Sequence, residues 1–360
     1  MEPNSIKSAL TEKDGIHPPQ NMSTSSVEVI LKMRRKQPSA QELIDRILTH
    51  NKTALSRAIT LVESTNPDHL EKANAIIQAC LPYANKSFRI GITGVPGVGK
   101  STFIEAFGKY LTSLGKKVAV LAVDPSSTIS HGSILGDKTR MEELVKDENA
   151  YIRPSASGET LGGVARKTRE TIILCEAAGF DTIIIETVGV GQSETAVHSM
   201  VDFFLLLKIS GAGDELQGIK RGIMEMADAI VINKADGDTI NKAKLAKAEF
   251  NRALHLFPAK KSGWIPTAST CSSYTKEGIA DVWKNISEYK ILVQDNHYFE
   301  QKRHEQNQFW MLETINNQLQ SNFYNHPKII KLLEENKKAV QKDEISPFAA
   351  AMNLLNAYFQ

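Results

Sequence analysis

The stretch GITGVPGVGKST, residues 91–102, constrains the fold more than any other part of this 360-residue chain. The preceding residues, SFRIGIT, alternate apolar and other side chains as a strand does, and the following residues, STFIEAFGKYLTSLGK, repeat apolar side chains at helical spacing. The residues between match every fixed position of G-x-x-x-x-G-K-[ST], which are Gly94, Gly99, Lys100 and Ser101. A strand, this loop and a helix together predict a P-loop rather than an ordinary Gly/Pro turn before a helix.

The predicted P-loop has a physical basis. Glycines let consecutive backbone N–H groups curl around a phosphate at a helix N-terminus. We expect Lys100 to reach the outer phosphates and the Ser101 hydroxyl to ligate Mg²⁺. The predicted nucleotide-binding residues of the loop are Gly94, Val95, Pro96, Gly97, Val98, Gly99, Lys100, Ser101 and Thr102. The chain is therefore predicted to bind a nucleoside triphosphate.

Six apolar segments alternate with helical stretches in the middle of the chain, which predicts an α/β fold. Strands that are apolar almost throughout indicate a mostly parallel sheet covered by helices on both faces. The predicted strand segments are RIGIT, KVAVLAVD, DTIIIET, DFFLLLKI, DAIVINK and WIPTAST.

The pattern along the chain predicts four parts. Residues 1–38 are polar and irregular and predict a flexible tail, and residues 39–86 predict an N-terminal helical extension. Residues 87–290 contain the sheet and form the nucleotide-binding domain. Residues 291–360 return to helices, the last capped by Ser346 with Pro347 at its first position. That helix has a wider apolar face than a lone surface helix needs, which predicts a subunit contact.

Composition excludes several classes of protein. The formal net charge of +2 gives no strong field for nucleic acid or an anionic membrane. No apolar run is long enough to span a bilayer, and no secretory signal or organelle transit peptide is recognisable. Three widely spaced cysteines do not form a disulfide framework. We expect a cytoplasmic enzyme that binds neither nucleic acid nor membrane.

The segment VINKAD predicts that the base is guanine. Asn233, Lys234 and Asp236 follow an apolar strand, at the end where open α/β sheets bind ligands. A carboxylate there can accept hydrogen bonds from guanine N1–H and N2–H₂, and adenine offers neither donor on that edge. Asn233 can contact the other edge of the ring, and the stem of Lys234 can lie along it. Downstream, Ser272 and Ser273 lie at another strand end, where a backbone N–H can meet the guanine carbonyl.

Acids near strand ends are the candidates for magnesium and the γ-phosphate. Asp124 ends one predicted strand, Asp137 lies in the following loop, and Glu186 ends another strand in the Walker B place. Gly189 can present its N–H to the γ-phosphate. The alternatives are a capping acid for Glu186 and a solvated loop acid for Asp137.

Hydrolysis is predicted to be slow. In Ras-like GTPases the residue after that glycine is a glutamine that orients the attacking water. Here the residue is Val190, which cannot orient water, and Gln192 lies two residues further on. This departure indicates a timing switch rather than a turnover enzyme.

The motifs together resemble one known family. GVPGVGKST, AVDPSS, GDKTRM, ETVGVGQSE, SGAGDELQGIKRGIMEMAD, NKAD and ISPFAAA are similar to the metallochaperone-type P-loop GTPases of the MeaB group. That group is related to human methylmalonic aciduria type A protein and was formerly labelled ArgK or LAO/AO transport ATPase. The resemblance extends from about residue 40 to the C-terminus.

The resemblance implies a SIMIBI-class P-loop NTPase that uses GTP and Mg²⁺. It implies an association with adenosylcobalamin-dependent methylmalonyl-CoA mutase or a related cobalamin-dependent acyl-CoA mutase. The implied role is to gate cofactor loading and to protect the mutase from inactivation, as a homodimer joined by terminal helical arms. It also implies that Asp124, Asp137 and Glu186 are the magnesium acids. The loop Asp214–Lys220 is then a third switch at the partner interface, with Lys220 a catalytic candidate beside Lys100, Glu186, Gly189 and Gln192.

Two alternatives remain open at this point. Nickel-insertion GTPases share this architecture but need His/Cys clusters, and the nine histidines here are scattered. A P-loop phosphotransferase or transport-coupled ATPase is the other alternative, and Asp236 argues against it.

Overall fold

The computed structural model describes residues 38–64, 66–123, 141–154, 161–187, 193–211 and 221–359. Strands and helices are numbered below in chain order within these ranges. The predicted tail, apart from Pro38, lies outside them.

The described strands form one parallel sheet with the order β3-β2-β4-β1-β5-β6-β7. Their bounds are β1 Phe88–Gly94, β2 Val118–Val123, β3 Ala150–Arg153, β4 Thr182–Thr187, β5 Phe203–Ile209, β6 Ala229–Asn233 and β7 Thr267–Thr270. The α/β prediction is confirmed. The predicted segments do not include β3, because this four-residue edge strand is too short to show a periodic pattern. The predicted segment for β7 begins three residues before the strand does.

Helices cover both faces of the sheet. The described helices are α1 Ala40–Leu48, α2 Lys52–Glu63, α3 Pro67–Cys80, α4 Lys100–Ser113, α5 Glu142–Val145, α6 Leu161–Ala177, α7 Ser193–His198, α8 Arg221–Met226, α9 Ile240–Leu254, α10 Ile279–Asp295, α11 Tyr298–Tyr324, α12 Pro327–Gln341 and α13 Pro347–Phe359. On one face α4 and α10 bury Phe103, Phe107 and Ile286 against the sheet. On the other face α1, α2, α3 and α6 share a second apolar cluster that includes Leu55 and Ile183.

The C-terminal part consists of long helices. Helix α10 runs through the expected domain boundary between residues 290 and 291, and its Val293 is still in the core of the sheet. Helix α13 begins at Pro347, and the Ser346 hydroxyl accepts a hydrogen bond from Ala349 N at 3.2 Å, as the capping pattern predicts. The four domain boundaries stay predictions. No helix among the described residues is both long and apolar enough to cross a membrane.

A buried ion cluster joins α11 to the amino-terminal edge of the sheet. It consists of Arg89 on β1, Glu176 on α6, Asp202 before β5 and Arg303 on α11. All four side chains are buried. Because each carboxylate has a guanidinium partner, two positive and two negative charges lie in the interior without a net charge. The long C-terminal helix is therefore fixed to the sheet at its first turns.

Candidate nucleotide-binding site

The loop between β1 and α4 has the backbone that its glycines predict. Gly97 and Gly99 have φ angles of +81° and +90°, in the left-handed region that favours glycine. A Cβ on Gly94 would lie 2.6 Å from the carbonyl oxygen of Leu207, so this residue must also be small. A Cβ on Gly97 would meet nothing within 4 Å, so the backbone faces open space there. The loop lies at the N-terminus of a 14-residue helix, and Pro96 and Gly97 at its tip are exposed.

Lys100 begins α4 and reaches back over the loop. Its Nζ donates to the Gly94 carbonyl oxygen at 2.7 Å, which places the ammonium group over the turn. Ser101 and Thr102 lie in the first turn of α4. Val98 is buried in the core, Val95 is partly buried against the same cluster, and Pro96 is exposed. A positive charge and a helix N-terminus at one place favour a bound anion.

Asn233, at the end of β6, connects three segments of the site. Its Nδ2 donates to the Val98 carbonyl oxygen at 2.9 Å. Its Oδ1 accepts from Ser273 Oγ at 2.7 Å and from Ser273 N at 3.1 Å. A Cβ on Gly99 would lie 3.0 Å from Asn233 Nδ2. The P-loop, the VINKAD segment and the segment after β7 are thus locked together around a side chain that is 1% exposed.

The acid predicted to recognise guanine also has a defined orientation. Asp236 is half-buried, and its Oδ2 accepts a hydrogen bond from Ser272 Oγ. Lys234, with a φ of +57°, extends its Nζ to the Gly97 carbonyl oxygen at 2.9 Å. The Asp236 carboxylate and the Lys234 stem therefore lie at the same end of the sheet as the P-loop, where a base and its phosphates can be bound together.

The backbone N–H groups of the two serines both have partners within the protein. Ser272 N donates to the Glu277 carbonyl oxygen at 3.0 Å, and Ser273 N donates to Asn233 Oδ1 at 3.1 Å. The contact of a backbone N–H of this segment with the guanine carbonyl stays a prediction. The two serines orient Asp236 and Asn233. Cys271 also contacts Asn233, with its Sγ 3.5 Å from Asn233 Oδ1. Burial raises the pKa of the Cys271 thiol to about 12, so the thiol stays neutral and can donate a hydrogen bond.

Glu186 lies beside the P-loop strand. It is opposite Ile92 in the β1–β4 register and is 5% exposed. Because side chains alternate along a strand, Glu186 shares the sheet face of Ile184, which packs in the same cluster as Phe103 of α4. The carboxylate is therefore on the face that also bears Ser101.

Several predicted residues lie outside the described ranges. These are Asp124, Asp137, Gly189, Val190, Gln192 and the loop Asp214–Lys220. Within the described ranges no three His, Cys, Asp or Glu side chains are grouped so that they could bind a metal ion. The described residues thus supply Ser101 and Glu186 of the predicted magnesium set.

Comparison with known proteins identifies the family. The family described as methylmalonyl Co-A mutase-associated GTPase MeaB matches residues 55–328. The chain belongs to the MeaB family of GTPases. A putative GTPase of Caulobacter vibrioides is 49% identical over 313 residues, covering 87% of this chain and 96% of that protein. The mitochondrial methylmalonic aciduria type A homolog of Mus musculus is 46% identical over 332 residues, covering 88% of this chain and 80% of that protein.

A solved structure of a LAO/AO transport system kinase has the same fold. It superimposes with a TM-score of 0.73 at 36% identity, covering 90% of this chain and 99% of that chain. The resemblance seen in the motifs is thereby confirmed, and so is the P-loop NTPase fold with a helical C-terminal extension. Membership of the MeaB family makes GTP the expected nucleotide.

Asp236→Asn tests the base assignment. The amide places a donor toward the donors of guanine, so we expect the ratio of GTP to ATP affinity to fall by about 10²-fold. Calorimetric titration of both nucleotides measures the ratio, and Asp238→Asn, an exposed acid two residues further on, is the matched control. Equal affinity of the unmodified protein for ATP and GTP would show that the guanine assignment is wrong.

Proposed function

We propose that this protein is a GTP-hydrolysing chaperone of adenosylcobalamin-dependent methylmalonyl-CoA mutase. In this role it gates loading of the cofactor onto the mutase and protects the loaded enzyme from inactivation. The observation that supports a GTPase best is the Asn233 connection, because it joins the P-loop to the guanine-recognising segment in one rigid site. The mutase is named by the family description, which this chain matches over more than half its length.

The chain's own residues suit phosphate binding and hydrolysis. The open backbone at Gly97 and the N-terminus of α4 bind the phosphates, while Lys100 neutralises charge that develops on the outer phosphates. Asp236 and the Lys234 stem bind the base. The hydrogen bonds of Asn233 to Val98 and Ser273 hold the base-binding segment next to the P-loop. Ser272 fixes the direction of the Asp236 carboxylate.

The donor set fits Mg²⁺. Ser101 and Glu186 supply hydroxyl and carboxylate oxygens, the ligands that Mg²⁺ prefers, on one face of the sheet. Asp124 and Asp137 are proposed to complete the set. When bound, the ion neutralises charge between the β- and γ-phosphates.

We propose that a partner protein accelerates the slow intrinsic hydrolysis. Val190 cannot orient the attacking water, and we propose that the mutase supplies the missing geometry through Gly189, Gln192 and Lys220. A contact that forms only in the complex stabilises the transition state without tightening ground-state binding much. GTP hydrolysis by the free protein is therefore proposed to be slow, below ~1 s⁻¹, and faster with the mutase.

Added mutase is expected to raise the hydrolysis rate several-fold, and Lys220→Ala should remove that increase while sparing basal hydrolysis. Phosphate release is measured with and without methylmalonyl-CoA mutase. Lys244→Ala, an exposed lysine on α9, is the control and should be stimulated like the unmodified protein. Equal stimulation of Lys220→Ala would contradict the third-switch assignment, and no stimulation of any protein would contradict the choice of partner.

The C-terminal helices support a homodimer. Helices α11 and α13 expose large apolar side chains, among them Leu312 at 56%, Phe348 at 85% and Phe359 at 81%. Such a face is costly in water and is typical of a subunit contact. We assign residues 291–360 to a dimerisation arm.

A further inference from the structure

Two buried hydroxyl groups join the strand that leads into the P-loop to the strand that carries Glu186. Thr187 Oγ1 donates to Thr93 Oγ1 at 2.9 Å. The two residues are 0% and 1% exposed. A buried hydroxyl that loses its partner retains its desolvation cost, so this bond ties the two strands more firmly than an exposed one.

The pair lies at the point where both strands end in the site. Strands β1 and β4 are parallel, and Ile92 is opposite Glu186. Thr93 and Thr187 are each the next residue along. Gly94, the first residue of the P-loop motif, follows Thr93 directly, and Thr187 follows Glu186 directly. The hydroxyl bond therefore joins the two strands one residue beyond the Ile92–Glu186 pair, next to the phosphate loop and the acid.

The two threonine side chains lie on the sheet face opposite α4, the helix that begins at the P-loop. Side chains alternate along a strand, so Thr93 shares a face with Gly91, which approaches Phe204 and Val201 on the face opposite α4. Glu186 lies on the face of α4. The threonines cannot reach a phosphate or its metal from there, and any effect on the reaction passes through the backbone of Glu186 and Gly94.

We propose that Thr93 and Thr187 form a positioning clasp that fixes Glu186 relative to the P-loop and so raises the rate of GTP hydrolysis. The inference rests on the proposed function, because it requires that Glu186 acts in hydrolysis. A displacement of a catalytic group by a fraction of an ångström lowers turnover more than it lowers ground-state affinity. The clasp thus acts on kcat and leaves KM for GTP nearly unchanged.

Thr187→Val removes the hydroxyl and keeps the shape of the side chain. We expect kcat to fall about tenfold, with KM changed by less than about twofold. Thr187→Ser keeps a hydroxyl and should retain kcat within about threefold. Thr93→Val should match Thr187→Val, and the double valine variant should be no slower than either single one, because the three variants lack the same bond.

The matched control is Thr182→Val at the other end of the same strand. Thr182 is also buried, and its Oγ1 bonds Asp181 Oδ1 at 2.7 Å. It should lower the melting temperature as Thr187→Val does, yet leave kcat unchanged. A loss of kcat in Thr182→Val equal to that in Thr187→Val, or no rescue by serine, would overturn the clasp.

The unmodified protein separates the two proposals. If it hydrolyses GTP and Thr187→Val does so at the same rate, the clasp is wrong and the GTPase proposal stands. If the unmodified protein hydrolyses no GTP, both proposals fail together. A selective fall in kcat for both valine variants, with rescue by serine, supports the clasp.

Discussion

Replacing Lys100 by alanine is expected to lower kcat for GTP hydrolysis by about 10²- to 10³-fold, the usual cost of removing one preorganised group that stabilises transition-state charge. The Lys100 ammonium group lies 2.7 Å from the Gly94 carbonyl oxygen, so it is already placed over the turn that is proposed to bind phosphates. Little rearrangement is needed for it to reach an outer phosphate. GDP affinity should fall much less, because GDP lacks the γ-phosphate.

Single-turnover hydrolysis and GDP titration measure the two effects separately. Lys109→Ala is the matched control, since Lys109 lies on the same helix but pairs with Asp147 at 2.6 Å, away from the loop. It should cost some stability and leave kcat unchanged. If Lys100→Ala hydrolyses GTP at more than about a tenth of the normal rate, the lysine has a structural role only.

The parts of the site that sequence predicted are those encoded locally. The P-loop follows from a strand, a glycine turn and a helix that are adjacent in the chain, and Asp236 follows from a short segment at the end of an apolar strand. Each motif specifies its own backbone, so no knowledge of the rest of the fold is needed. Parallel topology then requires the carboxyl ends of β1 and β6 to share one edge.

The contacts between these parts could not be predicted. The sequence predicts that Asn233 can contact the base, and nothing in it indicates that the side-chain amide also bonds the Val98 carbonyl oxygen or that its oxygen accepts from Ser273. A hydroxyl pair such as Thr93 and Thr187 has no pattern at all, because threonine is common in strands. Such contacts depend on strand order and register, which a single sequence does not determine.

The pairing within the buried ion cluster also could not be predicted from the sequence. Arg89 appears in the sequence as a charge within an apolar strand, and Arg303 appears as an exposed charge on a polar helix. The structure pairs both with acids, at 2.9 Å between Arg89 Nη2 and Glu176 Oε1 and at 2.5 Å between Arg303 Nη2 and Asp202 Oδ2. Burial lowers the pKa of the Arg89 guanidinium, and the nearby charge of Arg303 lowers it further, while Glu176 and Asp202 act in the opposite direction.

Arg303→Ala is therefore expected to destabilise the protein by about 3–5 kcal/mol, the usual cost of breaking a buried ion pair. The variant leaves the Asp202 carboxylate, which is 2% exposed, without the two hydrogen bonds from Arg303 Nε and Nη2. It also removes the donor to the Ser87 carbonyl oxygen.

Urea unfolding measures the free energy, with Lys337→Ala as the matched control. Lys337 pairs with Glu334 at 2.9 Å, but the two side chains are 57% and 63% exposed, so solvent screens the pair and its loss should cost little stability. Both variants remove one cation from a helix of the C-terminal part, so the difference between their free energies of unfolding reports mainly the effect of burial. A cost for Arg303→Ala as small as that for Lys337→Ala would mean that water reaches Asp202 and that α11 is not fixed to the sheet through this cluster.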